Sequence, residues 1–198
     1  MKRYALTLTL TGTLSLALAA PQTFKILSEN EAQNVLIVEN ETAVENFTGR
    51  TNKLSGTLSF DPQAKSGSGS VLIDASSIDT GLTLRNEHMR GKDWFNFDAR
   101  PEVKFTTTSV RHLEGDRYRV QGSVTMNGVT RPVTADATVR YTPANEATRA
   151  VGAKGDVVAV VAKFNVKLSD YGVRNAAVNV GRVNDVVPLT VKFIASNK

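Results

Sequence analysis

From about residue 33 onward the chain alternates apolar and polar positions with period two, the mark of strands that bury one face. In LSGTLSF, Leu54, Gly56, Leu58 and Phe60 share a face. In YRVQGSVTM, Tyr118, Val120, Gly122, Val124 and Met126 point one way while Arg119, Gln121, Ser123 and Thr125 point the other. PVTADATVRY aligns Val133, Ala135, Ala137, Val139 and Tyr141; VAVVAKFNVKL aligns Val160, Ala162, Phe164, Val166 and Leu168; VVPLTVKF aligns Val187, Leu189, Val191 and Phe193.

Turn chemistry separates these runs. Asn127-Gly128 in MNGV is the two-residue signal of a type I′ hairpin. LEGDR at 113–117 reads as a second hairpin turn and DPQAKSGSG at 61–69 as a longer polar loop. TPANEATRAVGAKGD, residues 142–156, has no period and reads as a mobile loop. A helical pattern shows only over residues 80–92, with Leu84, His88 and Met89 on one side. The pattern predicts an all-β domain of about eight antiparallel strands with one short helical insertion, undivided by repeats or linkers.

Such strands close as a barrel or stack as a sandwich. Gly56, Gly122, Ala135, Ala137 and Ala162 fall on inward faces, where a solid core places Leu, Ile or Phe. Small inward residues leave room, and a barrel of about eight strands can enclose one ligand. Large residues on facing strands could equally fill the gaps; composition leaves both arrangements open.

The first residues follow another logic. Lys2 and Arg3 precede an apolar, Thr-rich run from Tyr4 to Leu18, and ALA at 17–19 is a small-x-small cleavage signal followed by Pro21. Residues 1–19 are expected to be a cleaved signal peptide and 20–198 the barrel domain, in the periplasm or secreted. The run is too short for a membrane span. The formal charge of +5 falls to about +3 without Lys2 and Arg3. The remaining basic residues are scattered, with no stripe carrying stacking aromatics, so no nucleic-acid partner is expected. There is no cysteine, so stability must come from burial and strand pairing rather than disulfides.

Several segments, taken in order, resemble the YceI-like family of exported lipid-binding proteins. They are FTGRTNKLSGTLSFDP (47–62), VLIDASSIDTG (71–81), RNEHMRGKDWFNFDARPEVKF (85–105), YRVQGSVTMNGVTRPV (118–133) and LSDYGV (168–173). The resemblance implies an extended, lipocalin-like antiparallel barrel whose apolar tunnel holds an isoprenoid quinone or a polyprenyl lipid, as carrier or buffer. A role in stress response goes with it; a homodimer and transient membrane contact are compatible with it, and no cofactor is expected. Asn86 and Met89 stand where the family usually has Asp and Leu, and VTMNG replaces its LTIRG. Residues 24–46 match it weakly.

The densest polar stretch is RNEHMRGKDWF, residues 85–95, which includes the chain's single tryptophan. Zinc needs three or four ligands, and the chain offers only His88 and His112 with no cysteine, so no metal is expected. DTGLTLRNE lacks the alternating acids of a calcium loop. No G-x-S-x-G occurs, and in GSGSVL Leu72 breaks the dinucleotide pattern. No catalytic residue is therefore assigned; the alternative is an enzyme acting on a small apolar substrate with His88 as general base.

The patch itself has two readings. In one, Arg85, Glu87 and Asp93 pair to hold the short helix over a barrel end, with Trp94, Phe95 and Phe97 packed beneath. In the other, Arg85, His88 and Arg90 form a collar facing a quinone ring or phosphate, since arginine binds oxyanions through paired donors. The expected ligand-binding residues are Arg85, His88 and Phe95 at the mouth, and Leu58, Phe60, Val71, Ile73, Phe105, Val120, Val124, Val139, Phe164 and Val191 along the tunnel. At roughly 0.3 kcal/mol per heavy atom, a tail of about 40 carbons supplies on the order of 12 kcal/mol and one of about 15 carbons only about 4 or 5. Tunnel length then sets affinity, and head-group contacts tune selectivity.

Overall fold

The computed structural model describes residues 20–198; the predicted signal peptide, 1–19, lies outside the described residues. Ten strands alternate along the chain: β1 (Gln22–Ile26), β2 (Val35–Glu41), β3 (Asn46–Thr51), β4 (Leu54–Asp61), β5 (Ser66–Asp74), β6 (Glu102–His112), β7 (Arg117–Met126), β8 (Val129–Thr142), β9 (Val157–Lys167) and β10 (Val186–Ser196). They pair antiparallel in the order β1-β4-β5-β6-β7-β8-β9-β10-β2-β3, and β1 also pairs with β10. The sheet therefore closes on itself as an 8-stranded barrel.

The difference between ten and eight lies in two broken staves. β10 pairs with β1 through Lys25↔Ser196 and Ile26↔Ala195, and with β2 through Leu189↔Val38 to Lys192↔Val35. β1 and β2 are thus successive halves of one stave. β3 and β4 form the next, since β1 pairs with β4 and β2 with β3. Asparagines satisfy the backbone where the staves break. Buried Asn34 donates from Nδ2 to the Leu27 carbonyl at 2.8 Å and accepts the Ile194 N–H at 3.3 Å. Asn52 donates to the carbonyls of Glu31 at 2.7 Å and Asn34 at 2.6 Å.

The inward sets read from alternation hold along the walls. Leu54, Phe60, Tyr118, Val124, Met126, Ala135, Ala137, Val166, Val187, Val191 and Phe193 are all buried, while Arg119, Lys163 and Lys192 face solvent. Asn127 and Gly128 both take positive φ, 51° and 76°, as a type I′ turn requires.

Three expectations need correction. The Ser-Gly run of 66–69 is strand, opening β5, and the loop before it is only the turn that Asp61 caps by accepting the N–H groups of Gln63 at 2.8 Å and Ala64 at 2.9 Å. Residues 142–156 are not an unstructured loop: they carry the helix α2 (Glu146–Ala150), with a capping box between Asn145 and Thr148. Helices also number more than one, since α1 (Thr83–Arg90) and α2 are joined by α3 (Ala176–Asn179).

The connections sort to two ends. α1 between β5 and β6, α3 between β9 and β10, the β2–β3 turn and the Asn127-Gly128 hairpin share one end. α2, the β4–β5 and β6–β7 turns and the C-terminus share the other.

Candidate functional site

The barrel is not filled by its own side chains. An outer chamber of about 670 Å³ lies at the α1 end, bounded by α1, the segment after it and the ends of several strands. An inner chamber of about 130 Å³ lies among β4 to β10. Leu36, Val103, Val124 and Leu189 stand on the walls of both, so the chambers meet at an apolar waist. The outer volume falls in the range of about 300–1,000 Å³ usual for small-molecule sites.

The tunnel residues named from sequence are all on these walls. Leu58 and Phe60 from β4, Val71 and Ile73 from β5, and Phe105 from β6 line the inner chamber. So do Val120 and Val124 from β7, Val139 from β8, Phe164 from β9 and Val191 from β10. Arg85, His88 and Phe95 line the outer one.

The small inward residues divide into two kinds. Ala135, Ala137 and Ala162 line the inner chamber, and Ala137 sits directly opposite Ala162 across β8 and β9. Their short side chains leave the space that a tail would use. Gly122 does not: a Cβ there would stand 2.6 Å from Cζ of Phe105, whose ring takes the place of the missing side chain. Gly56, at φ 139°, lies against the Ser70 carbonyl. Its glycine is required by backbone geometry rather than by a void.

At the outer end, neither reading of the polar patch holds as drawn. Arg85 pairs with Glu45 of the β2–β3 turn at 3.4 Å, not with Glu87 or Asp93, and its guanidinium lies 4.2 Å over the Phe47 ring. Arg90 turns away from the chamber wall toward Asp98 at 3.8 Å. Glu87, His88 and Asp93 are exposed on the wall, and neither acid has a basic partner within 4.0 Å among the described residues. The packing half of the first reading does hold. Phe97 is buried and stacks on Phe95 at 5.1 Å, with Trp94 6.1 Å from Phe95.

Asn86 accounts for the local shape. Its Nδ2 donates to Asp79 at 2.7 Å, and its Oδ1 accepts the Thr80 N–H at 2.9 Å and hydroxyl at 2.7 Å. The first turn of α1 is thereby tied to the SIDTG segment, which pairs with β3 through Arg50↔Asp79. The Gly81 N–H, with Asn86, holds the Asp79 carboxyl below its usual range. A carboxylate at 86 could not make the donor contact.

Sequence reasoning missed the groups that complete the mouth, above all Glu45, Arg182 and Asn40. Arg182 donates to Glu45 from Nε at 3.0 Å and lies 2.9 Å from it through its second nitrogen. Buried Asn40 donates to the carbonyls of Glu45 and Arg182, both at 3.1 Å, and accepts the Asn184 N–H at 2.9 Å. The alternation of Leu36, Val38 and Asn40 could have flagged this face.

His112, the other histidine, is far from the mouth, donating to the Gly115 carbonyl at 2.9 Å and packing edge-on to Tyr118 at 5.0 Å. No group of three or more His, Cys, Asp or Glu positioned for a metal occurs among the described residues.

A closed antiparallel barrel with an apolar interior chamber and a polar, helix-covered mouth is a lipocalin-like binding architecture. A family model described as the YceI-like domain matches residues 28–195, and the chain belongs to that family. UPF0312 protein plu2095 of Photorhabdus laumondii is 41% identical over 90 residues, 45% of this chain and 46% of that protein; the chain spans about half the length of such curated relatives. Among solved structures, Burkholderia cenocepacia BcnA superposes with a TM-score of 0.70 at 24% identity, over 83% of this chain and 97% of that one. A polyisoprenoid binding domain from Saccharophagus degradans gives 0.59 at 16% identity, over 88% and 98%. At these identities the structural likeness establishes the fold.

Proposed function

We propose that this protein holds an isoprenoid lipid, its tail running from the outer chamber through the waist into the inner one and its head among the polar groups of the mouth, without chemical change to the ligand. One observation carries the reading: inside one closed barrel, an apolar inner chamber and a larger outer chamber share the wall residues Leu36, Val103, Val124 and Leu189. The inner walls are Val, Leu, Phe and Ala, so affinity comes from burying hydrocarbon at about 25 cal/mol per Å² of apolar surface. The charged and amide side chains stand on the outer chamber's wall, where the head would lie. The polyisoprenoid binding domain of Saccharophagus degradans supports the same class of ligand. A carrier or buffer exported to the periplasm or beyond fits the predicted signal peptide. Leu82 and Leu84, 50% and 57% exposed at the chamber's edge, would meet a bilayer as the tail passes.

Native mass spectrometry of the protein purified from its own host tests the reading. Co-purified long-chain isoprenoid is the expected result. A protein that emerges empty, and that takes up no isoprenoid when supplied, would overturn it.

A further inference from the structure

The charged and titratable groups on the outer chamber wall are Glu45, Arg85, Glu87, His88, Asp93 and Arg182. Their carboxylates outnumber their guanidiniums, three to two. Both arginines are also already engaged. Glu45 accepts from Arg85 at 3.4 Å and from Arg182 at 3.0 Å, and Asn40 fixes the backbone on either side by binding the carbonyls of Glu45 and Arg182. Nearby cations do not change the balance: Arg90 is directed to Asp98, and Lys92 is not on the wall.

A phosphate placed in this chamber would face two unpaired carboxylates, Glu87 and Asp93. It would also have to displace Glu45 to reach the arginine donors that usually hold oxyanions. An uncharged polar head, a hydroxyl or a quinone ring, meets neither obstacle.

We infer that this mouth selects isoprenoids with uncharged heads against phosphorylated ones, and that Glu45 is the residue that sets the preference, by occupying Arg85 and Arg182. The inference rests on the lipid-holding function proposed above and specifies its ligand class. Like-charge opposition across a binding site acts mainly as a device against the wrong partner.

Trp94, the chain's single tryptophan, lines the outer chamber and supplies the readout. Its fluorescence is titrated with geranylgeraniol and with geranylgeranyl monophosphate, which share one tail. The native protein is expected to bind the alcohol about tenfold or more tightly than the monophosphate. Glu45→Gln should raise monophosphate affinity relative to the alcohol by about tenfold. Glu87→Gln removes a wall charge without touching the Glu45 clamp. It should shift the ratio in the same direction by a smaller factor, and it decides the matter if Glu45→Gln fails to fold. Equal or tighter binding of the monophosphate by the native protein overturns the inference and leaves lipid binding intact, as does a ratio that neither folded variant changes. Binding of neither compound, by fluorescence or by mass, would overturn the lipid-holding function and the selectivity together.

Discussion

Asn40 shows how much of this mouth hangs on one side chain. It is 3% exposed, and its amide joins the β2–β3 turn to the segment that follows α3. Asn40→Ala leaves the Arg182 carbonyl and the Asn184 N–H without their partner, while the Glu45 carbonyl keeps the Thr42 hydroxyl at 2.9 Å. It is expected to lower unfolding free energy by about 2 kcal/mol, read from urea denaturation. Tyr171 is the opposite case. It is buried, its hydroxyl has no hydrogen-bond partner among the described residues, and burial pushes its pKa up. Tyr171→Phe removes a desolvated group that gives nothing back, so thermal unfolding should show stability unchanged or raised by up to about 1 kcal/mol. Arg85 was legible as a mouth residue because it sits in a dense polar stretch. Glu45 was not, because its second partner, Arg182, lies 137 positions away and only barrel closure brings the two together.

Among the elements, the α2 region departs most from what its sequence suggested. Residues 142–156 have no hydrophobic period, yet Asp156 fixes the segment by accepting the Tyr141 hydroxyl at 2.7 Å and the Ala144 N–H at 2.9 Å, while its own N–H donates to Asn197 at 2.8 Å. The Tyr141 hydroxyl first, then the Ala144 N–H, hold the Asp156 carboxyl below its ordinary value. A carboxyl depressed in the folded state adds stability that is complete above the unfolded value of about 3.9 and is lost as pH falls through the folded one. Asp156→Asn should therefore lower the urea midpoint at pH 7 and cost progressively less as pH falls below about 4, through the window between the unfolded carboxyl's value and the lower folded one. A deficit that stays constant with pH would show that the carboxylate charge is not what holds this segment. Polar anchoring of this kind leaves no periodic trace, which is why the segment read as a loop. The broken staves leave no periodic trace for a related reason: Asn34 and Asn52 are short polar interruptions whose partners, Ile194 and Asn34, lie 160 and 18 positions away.

For the whole molecule the decisive property is an interior that stays partly open. Ala162 faces Ala137 on β8 and Val191 on β10 along one row of the inner wall. Ala162→Phe is expected to keep the β-sheet circular dichroism spectrum, to cost about 1–3 kcal/mol if the ring is crowded, and to weaken binding of long-tailed isoprenoids by at least about tenfold. Short-tailed ones, held in the outer chamber, should bind as before; normal binding of long tails would place the tail elsewhere. The sequence by itself determined β4 and β7 to β10 with their inward faces, the Asn127-Gly128 turn and the position of α1, because a period of two and turn chemistry are local properties of the chain. Whether an inward small residue meant a void was decided only in three dimensions. Gly122 is filled by Phe105 from the neighbouring strand, whereas Ala137 and Ala162 face one another and leave a chamber. The charge balance of the mouth was decided there too, since closing a sheet brings chain segments together across distances that no local pattern encodes.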